Sequence, residues 1–350
     1  MLNRRHLLGL AAGALAAPSL ASAQGAAWPN RPIRLIAQFP PGGLVDTVAR
    51  LLAPQLAAAL GTSVVVENRA GAGGVMGTDV AAKAAPDGYT LLVSHASVHV
   101  FATATRPTLP FDPIADFTHM IHMVEAPNII LVRGDSPFQT LEQYVTAART
   151  RPVRFGSSGI GSAPHLLGAM LSAEARAPQL DHVPYAGSAP AMQDLLARTI
   201  ESMIDPITTN VQQLRDGSLR ARAVSTPQRL PAFPNIPTFA ELGFPKLTSA
   251  QWLGLSAPKN LPAPIAERLT ATIPPILARP ELMERFTSLQ TLPRNPSPAG
   301  ADFVALMRQE IAEWTAVARQ FNIVVARARR AGGIRPRPAG AAGGRDRVPR

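Results

Sequence analysis

The chain has 350 residues, no cysteine and a formal net charge of +11. The charge is concentrated at the two ends: residues 326–350 hold eight arginines against one aspartate, and Arg4 and Arg5 add two positive charges. Without these contributions the body carries +2, so the basic composition does not indicate a nucleic acid partner. Residues 326–350 are rich in Arg, Gly, Pro and Ala and have no apolar period, which predicts a disordered basic tail.

The first 23 residues have the layout of an export signal. Arg4 and Arg5 precede an uncharged apolar run at residues 7–17, and Ala21-Ser22-Ala23 forms a small-residue cleavage site. The run is too short for a membrane-spanning helix, which needs about 20 apolar residues. We therefore predict a signal peptide cleaved after about Ala23 and a periplasmic mature protein. The general secretory route and the twin-arginine route both stay open.

The body alternates strand-like and helix-like segments, and its roughly 300 residues are enough for two domains. Predicted strands lie at residues 33–39, 64–66, 89–93, 129–132, 153–156, 182–185, 202–205, 219–225 and 251–257, and predicted helices at residues 44–60, 76–85, 141–149, 164–175, 188–198, 263–277 and 299–320. This alternation indicates an α/β fold with a mostly parallel sheet. The pattern restarts after Val124, which predicts one lobe from residues 28–125 and 241–325 and another from residues 126–240. Pro54 lies inside the first helix and is expected to kink or interrupt it.

Three small-residue loops follow predicted strands and open predicted helices: residues 40–43, 71–74 and 157–162. In open α/β sheets, ligands bind beyond the carboxyl ends of the strands. The free N–H groups and the dipole of a helix N-terminus favour a negative charge there. The loops therefore predict a site for a carboxylate or another small anion between two lobes, with serine hydroxyls as additional donors.

Other kinds of site fit the residues less well. The glycine loop from Gly71 misses the strict dinucleotide-binding pattern because Met76 holds the third glycine position, and no P-loop lysine follows it. Gly156 to Gly159 lacks the spacing of a hydrolase nucleophile elbow. The histidine pairs at positions 95 and 99 and at 119 and 122 have a spacing that permits metal ligation. No carboxylate or cysteine accompanies them in register, so we expect no metal and no cofactor.

Several long motifs in the body resemble one family of binding proteins. They are the Trp28-Pro29 segment up to Ile33, FPPGG with Asp46, VVVENRAGAGG at residues 64–74, AAPDGYTLL at 84–92, FGSSGIGSAPHL at 155–166 and HVPYAGSAPAMQDLL at 182–196. Together they resemble the tripartite tricarboxylate transporter substrate-binding family, also called the Bug family. The resemblance covers residue 28 to about residue 325.

The resemblance implies an α/β, two-lobe periplasmic binding protein fold, flytrap-like and of type II, with a hinge and an interlobe cleft. It implies ligands that are small organic acids, held by loop backbone amides and bridging waters. The positions that match the family's binding residues are Phe39, Pro41, Gly42, Asp46, Gly71, Gly73, Ser94, Ser157, Ser158, Ser162, His165, Tyr185, Gly187, Ser188 and Asp205. The chain departs from the family at Ala186, where a lysine is common, and before residue 202, where glycines are usual.

The expected function is therefore capture of a carboxylate by a monomeric binding protein and delivery to membrane permease subunits. A sensor domain that docks the closed form is an alternative partner. A hydrolase that uses Ser158 or Ser162 with His165 is the alternative from another class. The sequence does not identify the carboxylate.

Overall fold

The computed structural model describes residues 28–294, 296–321 and 323. The predicted signal peptide and the predicted basic tail lie outside this range. The strands are β1 Ile33–Ala37, β2 Val64–Asn68, β3 Thr90–His95, β4 Phe117–Arg133, β5 Val153–Ser157, β6 Leu180–Pro184, β7 Ser202–Pro206, β8 Leu219–Val224, β9 Ala250–Pro258 and β10 Leu292–Pro293.

Helices follow most of the strands, as expected for an α/β chain. They are α1 Leu44–Leu60, α2 Val75–Ala82, α3 Leu141–Thr150, α4 Ala163–Glu174, α5 Ser188–Leu196, α6 Val211–Asp216, α7 Ala263–Leu277, α8 Pro280–Ser288 and α9 Gly300–Gln320. After β3 the chain forms a π-helical turn, Ser97–Ala102, which continues as a short α-helical turn, Thr103–Thr105. None of the helices within the described residues is long and apolar enough to cross a bilayer.

The strands form two groups that share the long strand β4. In the first group, β1 pairs in parallel with β2 and β3, and β9 pairs antiparallel with β3 and with the first part of β4. In the second group, β5 pairs in parallel with β6 and β7, while β7 and β8 pair antiparallel with residues 128–133 of β4. The chain passes from the first group to the second within β4, and it returns to the first group in the segment between β8 and β9.

We call the part around the first group lobe 1 and the part around the second group lobe 2. Lobe 1 contains β1–β3, β9, β10, the first part of β4 and helices α1, α2, α7 and α8; lobe 2 contains the rest of β4, β5–β8 and α3–α6. Helix α9 lies at the junction, because Phe303 and Met307 belong to the same core cluster as Leu141 and Leu166 of lobe 2 and Phe101 of lobe 1.

Local signals explain where α1 begins and ends. The helix starts after Gly43 and stops at Gly61, whose left-handed φ of 71° ends the hydrogen-bond ladder. Its apolar positions Val48, Leu52 and Leu56 are buried against the sheet. Pro54 does not interrupt the helix, contrary to the sequence-based expectation. The loss of one N–H and its hydrogen bond is offset because the same helix buries an apolar face over almost five turns.

The structure differs from the predicted elements at further places, and neither helix α6 nor strand β10 was predicted. Strand β4 spans 17 residues, whereas the sequence predicted only residues 129–132. The three valines at residues 64–66 are typical of a buried strand, but β2 is an edge strand of the first group and is partly exposed. Helix α8 was not predicted, because its nine residues carry only two buried side chains, Leu282 and Phe286.

Candidate functional site

A small cavity lies between the lobes; its empty space is about 300 Å³ when the open solvent at its mouth is included, and about 20 Å³ of this can hold the centre of a water molecule. Both lobes and the β9 crossover line it, with the residues Phe39, Pro40, Gly43, Leu44, Val45, His95, Ser158, Ser188, Pro206 and Gln251. A larger depression of about 900 Å³ around Arg220 and Phe233 lies on lobe 2 alone. The interlobe cavity is the candidate site because two helix N-termini open into it.

The first of these N-termini belongs to α1 in lobe 1. Gly43 occupies the N-cap position and has no side chain that could cap the helix. Within the described chain, the N–H groups of Gly43, Leu44 and Val45 donate no hydrogen bond, and all three residues line the cavity. The first turn of a 17-residue helix therefore presents unpaired donors and the positive end of its dipole to the cavity.

The second N-terminus belongs to α5 in lobe 2. Gly187 is its N-cap and again supplies no capping side chain. The hydroxyl of Ser188, the first helical residue, lines the cavity and donates a hydrogen bond of 2.6 Å to Asp205 Oδ1. Asp205 also accepts bonds from Thr209 and Asn210. Burial raises the pKa of Asp205 to about 6, against the lowering effect of these three hydrogen bonds.

The loop at residues 157–162 differs from its expected role. We predicted free N–H groups at its end, but helix α4 is capped: Ser162 Oγ accepts from the N–H of His165 at 3.4 Å. The N–H of Ala163 donates to Ser97 Oγ of lobe 1 at 3.2 Å. Ser162 Oγ itself donates to the carbonyl of Gly159. The loop therefore contributes Ser158, which lines the cavity and whose hydroxyl has no hydrogen-bond partner among the described residues, and not a free helix N-terminus.

The glycine loop at residues 71–74 forms the contact between the lobes beside the cavity. A Cβ at Gly73 would lie 2.8 Å from the carbonyl oxygen of Ile160, and a Cβ at Gly159 would lie 3.2 Å from Gly73 Cα. Arg106 fastens this contact, since its Nη2 donates to the carbonyl of Ala72 in lobe 1 at 3.0 Å and to that of Ile160 in lobe 2 at 2.8 Å. The two lobes are thus in direct contact beside the cavity, and the absence of a side chain at Gly73 permits this approach.

The predicted binding residues Pro41, Gly42 and Asp46 lie next to the cavity but do not line it. Pro41 and Gly42 are exposed. Asp46 is buried and accepts hydrogen bonds from the N–H of Gly42, from Arg50 Nε and from Asn68 Nδ2. Burial acts to raise the pKa of Asp46, but these hydrogen bonds lower it below its usual value. Its observed role is to hold the loop before α1 in shape.

Several other predicted residues engage protein groups instead of the cavity. Ser94 accepts from Ser256 Oγ at 2.9 Å, and the Tyr185 hydroxyl donates to Asp194 at 2.7 Å. Gly71, whose φ is 143°, packs against the side chain of Met76. Ser157 is fully buried and its Oγ lies 2.6 Å from His182 Nε2. Of the predicted residues, only Phe39, Ser158 and Ser188 line the cavity.

The structure does not bring a serine hydroxyl and the His165 ring into the hydrogen-bonded pair that the hydrolase alternative requires. Nδ1 of His165 accepts from the N–H of Gly161 at 3.1 Å, and its ring stacks on His182 at 4.0 Å between centroids. Burial lowers the pKa of His165 to about 4. Neither Ser158 nor Ser162 hydrogen-bonds the His165 ring within the described residues, so neither has a base to activate it.

His95 and Gln251 also line the cavity. Neither is among the predicted binding residues, although the family resemblance places residues 95 and 99 in a variable region that lines the cleft in relatives. His95 ends β3, and its ring meets the Phe39 ring edge-on with centroids 5.6 Å apart. Gln251 lies on β9, where its Oε1 accepts from Ser97 at 3.0 Å and its Nε2 donates to Asn128. The position of His95 at a strand end was a signal for the site; for Gln251, no local signal exists because the tertiary fold brings β9 there.

One residue of each predicted histidine pair, His99 of the first and His119 of the second, is buried in the core. His99 packs edge-on against Phe117, and His119 hydrogen-bonds Ser256 Oγ and the carbonyl of Pro113. In the described range, no three His, Cys, Asp or Glu side chains come together in a way that could hold a metal ion.

The two-lobed α/β fold with a cavity between its lobes defines the class of periplasmic binding proteins. BugD, a periplasmic binding protein of known structure, superposes with a TM-score of 0.81 at 32% identity and covers 85% of this chain and 99% of its own. MatC from Rhodopseudomonas palustris, solved with bound malate, superposes with a TM-score of 0.78 at 32% identity, covering 83% of this chain and 99% of MatC.

The family follows from the sequence comparison. Residues 48–323 match the model of the tripartite tricarboxylate transporter family receptor. BugT of Bordetella pertussis is 34% identical over 315 residues, which is 89% of this chain and 94% of BugT. The chain belongs to the tripartite tricarboxylate transporter receptor family, as its motifs predicted.

Proposed function

We propose that this protein captures a small organic carboxylate in the periplasm and delivers it to the membrane permease of a tripartite tricarboxylate-type transporter. It acts as a monomeric receptor and performs no chemistry on the ligand. The family membership and the malate bound to the related MatC support a carboxylate ligand. The geometry of the cavity in this chain supports a carboxylate ligand independently of these comparisons.

One observation carries the proposal: two uncapped helix N-termini, one from each lobe, open into the same interlobe cavity. Gly43 and Gly187 stand at the N-cap positions, where Ser, Thr, Asp or Asn would ordinarily satisfy the first-turn N–H groups. A ligand carboxylate can take that place, since each N–H bonded to a charged acceptor contributes about 1.5–3 kcal/mol. The hydroxyl of Ser158 adds one more donor.

Dipoles, and not charged side chains of the lining, would bind the anion, and the buried Asp205 carboxyl accepts a hydrogen bond from the lining residue Ser188. None of the ten residues that line it is Lys, Arg, Asp or Glu. The compensating positive charge is the helix dipole, which amounts to roughly half an elementary charge at each N-terminus. An anion that contacts both N-termini gains from both dipoles only when the lobes are closed, so binding favours the closed form.

The sharpest test replaces the missing cap. Gly43 has the extended backbone of an ordinary N-cap residue, with φ of −81° and ψ of 173°. Gly43→Asp should place a carboxylate on the first-turn N–H groups, raise the melting temperature and abolish binding of the ligand carboxylate. Gly43→Ala is the matched control, because its Cβ meets only the carbonyl oxygen of Pro40 at 3.6 Å and cannot cap the helix.

Binding is measured by calorimetry after a thermal-shift screen of a carboxylate library. A ligand at one hundred times its dissociation constant should stabilise the wild type by about 2.7 kcal/mol. The proposal is contradicted if no carboxylate stabilises the wild type, or if Gly43→Asp binds the acid found as tightly as Gly43→Ala does.

Export and delivery are tested in cells. Fractionation should recover the protein in the periplasm with an N-terminus near Gln24, as the predicted signal peptide requires. Uptake of the labelled acid should depend on this protein and on the permease. Uptake that persists without this protein would exclude the transport role and leave binding in place.

A further inference from the structure

A buried carboxyl group lies directly behind the lining of the interlobe cavity. Asp205, on β7, has no exposed surface. Its Oδ1 accepts a hydrogen bond from Ser188 Oγ at 2.6 Å, and its Oδ2 accepts from Thr209 Oγ1 at 2.6 Å and from Asn210 Nδ2 at 2.9 Å. Of these four residues, Ser188 lines the cavity. The Ser188 hydroxyl therefore joins the buried carboxyl to the cavity in which the ligand carboxylate would bind.

When Asp205 is ionised, its hydrogen bond fixes the direction of the Ser188 hydroxyl. A serine hydroxyl has a single hydrogen, and Asp205 Oδ1 accepts it here. The Ser188 oxygen can then only accept a hydrogen bond from the cavity. An ionised ligand carboxylate has no hydrogen to donate, so the ionised form of Asp205 opposes the binding that the free N–H groups of α1 favour.

A proton on Asp205 reverses this arrangement. Oδ2 already accepts two hydrogen bonds, whereas Oδ1 is bonded to Ser188 alone among the described residues. A proton on Oδ1 would be donated to Ser188 Oγ, and the Ser188 hydrogen would then be free to donate to a ligand carboxylate. Protonation also removes the repulsion between two carboxylates that meet at one hydroxyl.

The surroundings of Asp205 make this protonation accessible. Burial raises the pKa of Asp205 to about 6, although its three neutral hydrogen-bond donors act to lower it. The carboxylates on the adjoining elements are bonded elsewhere. Asp194 of α5 accepts from the Tyr185 hydroxyl, and Glu201, just before β7, accepts from the N–H of Arg154.

The other elements around the site carry groups that keep their charge near neutral pH. Burial lowers the pKa of His95, which lines the cavity, to about 3. Burial acts to raise the pKa of Asp46 in α1, but its hydrogen bonds hold this pKa below the usual value. Strand β4 places Ile129 opposite Asp205, and its Arg133 bonds Asp135. Among these groups, Asp205 is therefore the one whose charge changes between pH 6 and pH 8.

We infer that capture of the ligand carboxylate is coupled to uptake of a proton by Asp205, and that Ser188 transmits the protonation state of Asp205 to the cavity. The inference rests on the proposed function and adds a regulation of that site by pH. A carboxylate bound beside Ser188 raises the pKa of Asp205 further. The affinity should therefore be highest below about pH 6 and fall as the pH rises through the pKa of the ligand-bound form.

Calorimetry between pH 6 and pH 8 tests the coupling in the wild-type protein. The probe is the acid with the largest thermal shift among lactate, malate and benzoate, which stay ionised in this range, or, failing these, the acid that the library screen identifies. Its dissociation constant should be about tenfold lower at pH 6 than at pH 8. At pH 7, binding enthalpies in PIPES and in imidazole buffer, which differ in ionisation enthalpy, should reveal net proton uptake.

Two variants test the roles of the carboxyl and of the hydroxyl. Asp205→Asn resembles the protonated carboxyl, because its amide nitrogen can donate to Ser188 Oγ while its oxygen accepts from Thr209 and Asn210. It should bind the probe at pH 8 as tightly as the wild type does at pH 6, without proton uptake. Ser188→Ala should weaken binding about tenfold at pH 6 and less than about threefold at pH 8, since only protonated Asp205 directs the hydroxyl hydrogen into the cavity.

Glu310→Gln is the matched control for a second carboxyl that titrates near neutral pH. Burial raises the pKa of Glu310 to about 7, but this carboxyl accepts a hydrogen bond from Trp252 Nε1, and neither residue lines the cavity. The variant should leave the affinities and the proton uptake unchanged. Loss of proton uptake in Glu310→Gln would assign the coupling to α9 and overturn the inference.

The remaining outcomes separate the inference from the proposed function. An affinity at pH 6 equal to or lower than that at pH 8, or proton uptake that persists in Asp205→Asn, overturns the inference and leaves the proposed function standing. If no carboxylate binds at any pH, the proposed function itself fails and the inference fails with it. The measurements on the wild type decide the matter even if a variant does not fold.

Discussion

Arg106 should control how readily the lobes close. Its guanidinium joins them through Nη2, which donates to the Ala72 carbonyl of lobe 1 and to the Ile160 carbonyl of lobe 2. Arg106 follows β3 of lobe 1 in the chain and is expected to move with that lobe, so the bond to Ile160 is the one that should be lost when the lobes separate. Arg106→Ala should therefore shift the equilibrium toward the open form without removing any group from the ligand cavity.

The size of this effect follows from a single interlobe hydrogen bond. A hydrogen bond from a charged donor contributes about 1.5–3 kcal/mol, and partial solvent exposure of the arginine favours the low end. Since about 1.4 kcal/mol corresponds to a factor of ten, the dissociation constant of the ligand should rise about tenfold if the ligand-free protein is mainly open. Arg106→Lys should recover part of this loss, because an ammonium can still reach one carbonyl.

Calorimetry measures the dissociation constants, and small-angle scattering of the ligand-free protein reports the shift toward an expanded form. Arg31→Ala is the control: it removes an exposed ion pair with Asp87, both within lobe 1, and should change neither quantity. A dissociation constant for Arg106→Ala within twofold of the wild type would show that the bond to Ile160 does not stabilise closure.

Three further predictions concern the loops around the site. Gly73→Ala should weaken ligand binding at least tenfold in calorimetry, because its Cβ would meet the Ile160 carbonyl at 2.8 Å, whereas Gly42→Ala has a similar positive φ but open space and should bind nearly normally; equal losses in both would point to backbone strain alone. Asp46→Asn should lower the melting temperature at pH 7. The lowered pKa of Asp46 means that its charge stabilises the fold above the unfolded value near 3.9, so the difference from the wild type should shrink below about pH 4, and a constant difference would contradict this. Ser162→Ala removes the cap of α4 and should cost about 1 kcal/mol in urea unfolding; an unchanged midpoint would show that the cap is dispensable.

Much of the α/β order could be predicted, because its signals are local. The apolar spacing and Gly61 predicted α1 with the bounds that the structure shows. The family motifs predicted the two-lobe periplasmic binding fold. Strand β4 was largely missed because Pro127 and two irregularities in its pairing with β9 break the local strand pattern. Its 17 residues are held by pairing with β7, β8 and β9, which come from distant parts of the chain.

The sequence by itself determined where backbone N–H groups leave a helix without a capping side chain, since a glycine before the first turn is a local fact. Only the tertiary structure decided which of these groups stay free. At α4 the Ala163 N–H meets Ser97 Oγ, which lies 66 residues earlier in the chain. At α1 and α5 no side chain of the described residues caps the helix, and Gly43, Leu44, Val45 and Ser188 line the cavity. The pairing of β3 with β9 likewise brought His95 and Gln251 into the lining of the cavity. Contacts between such distant segments depend on the tertiary fold and not on local spacing.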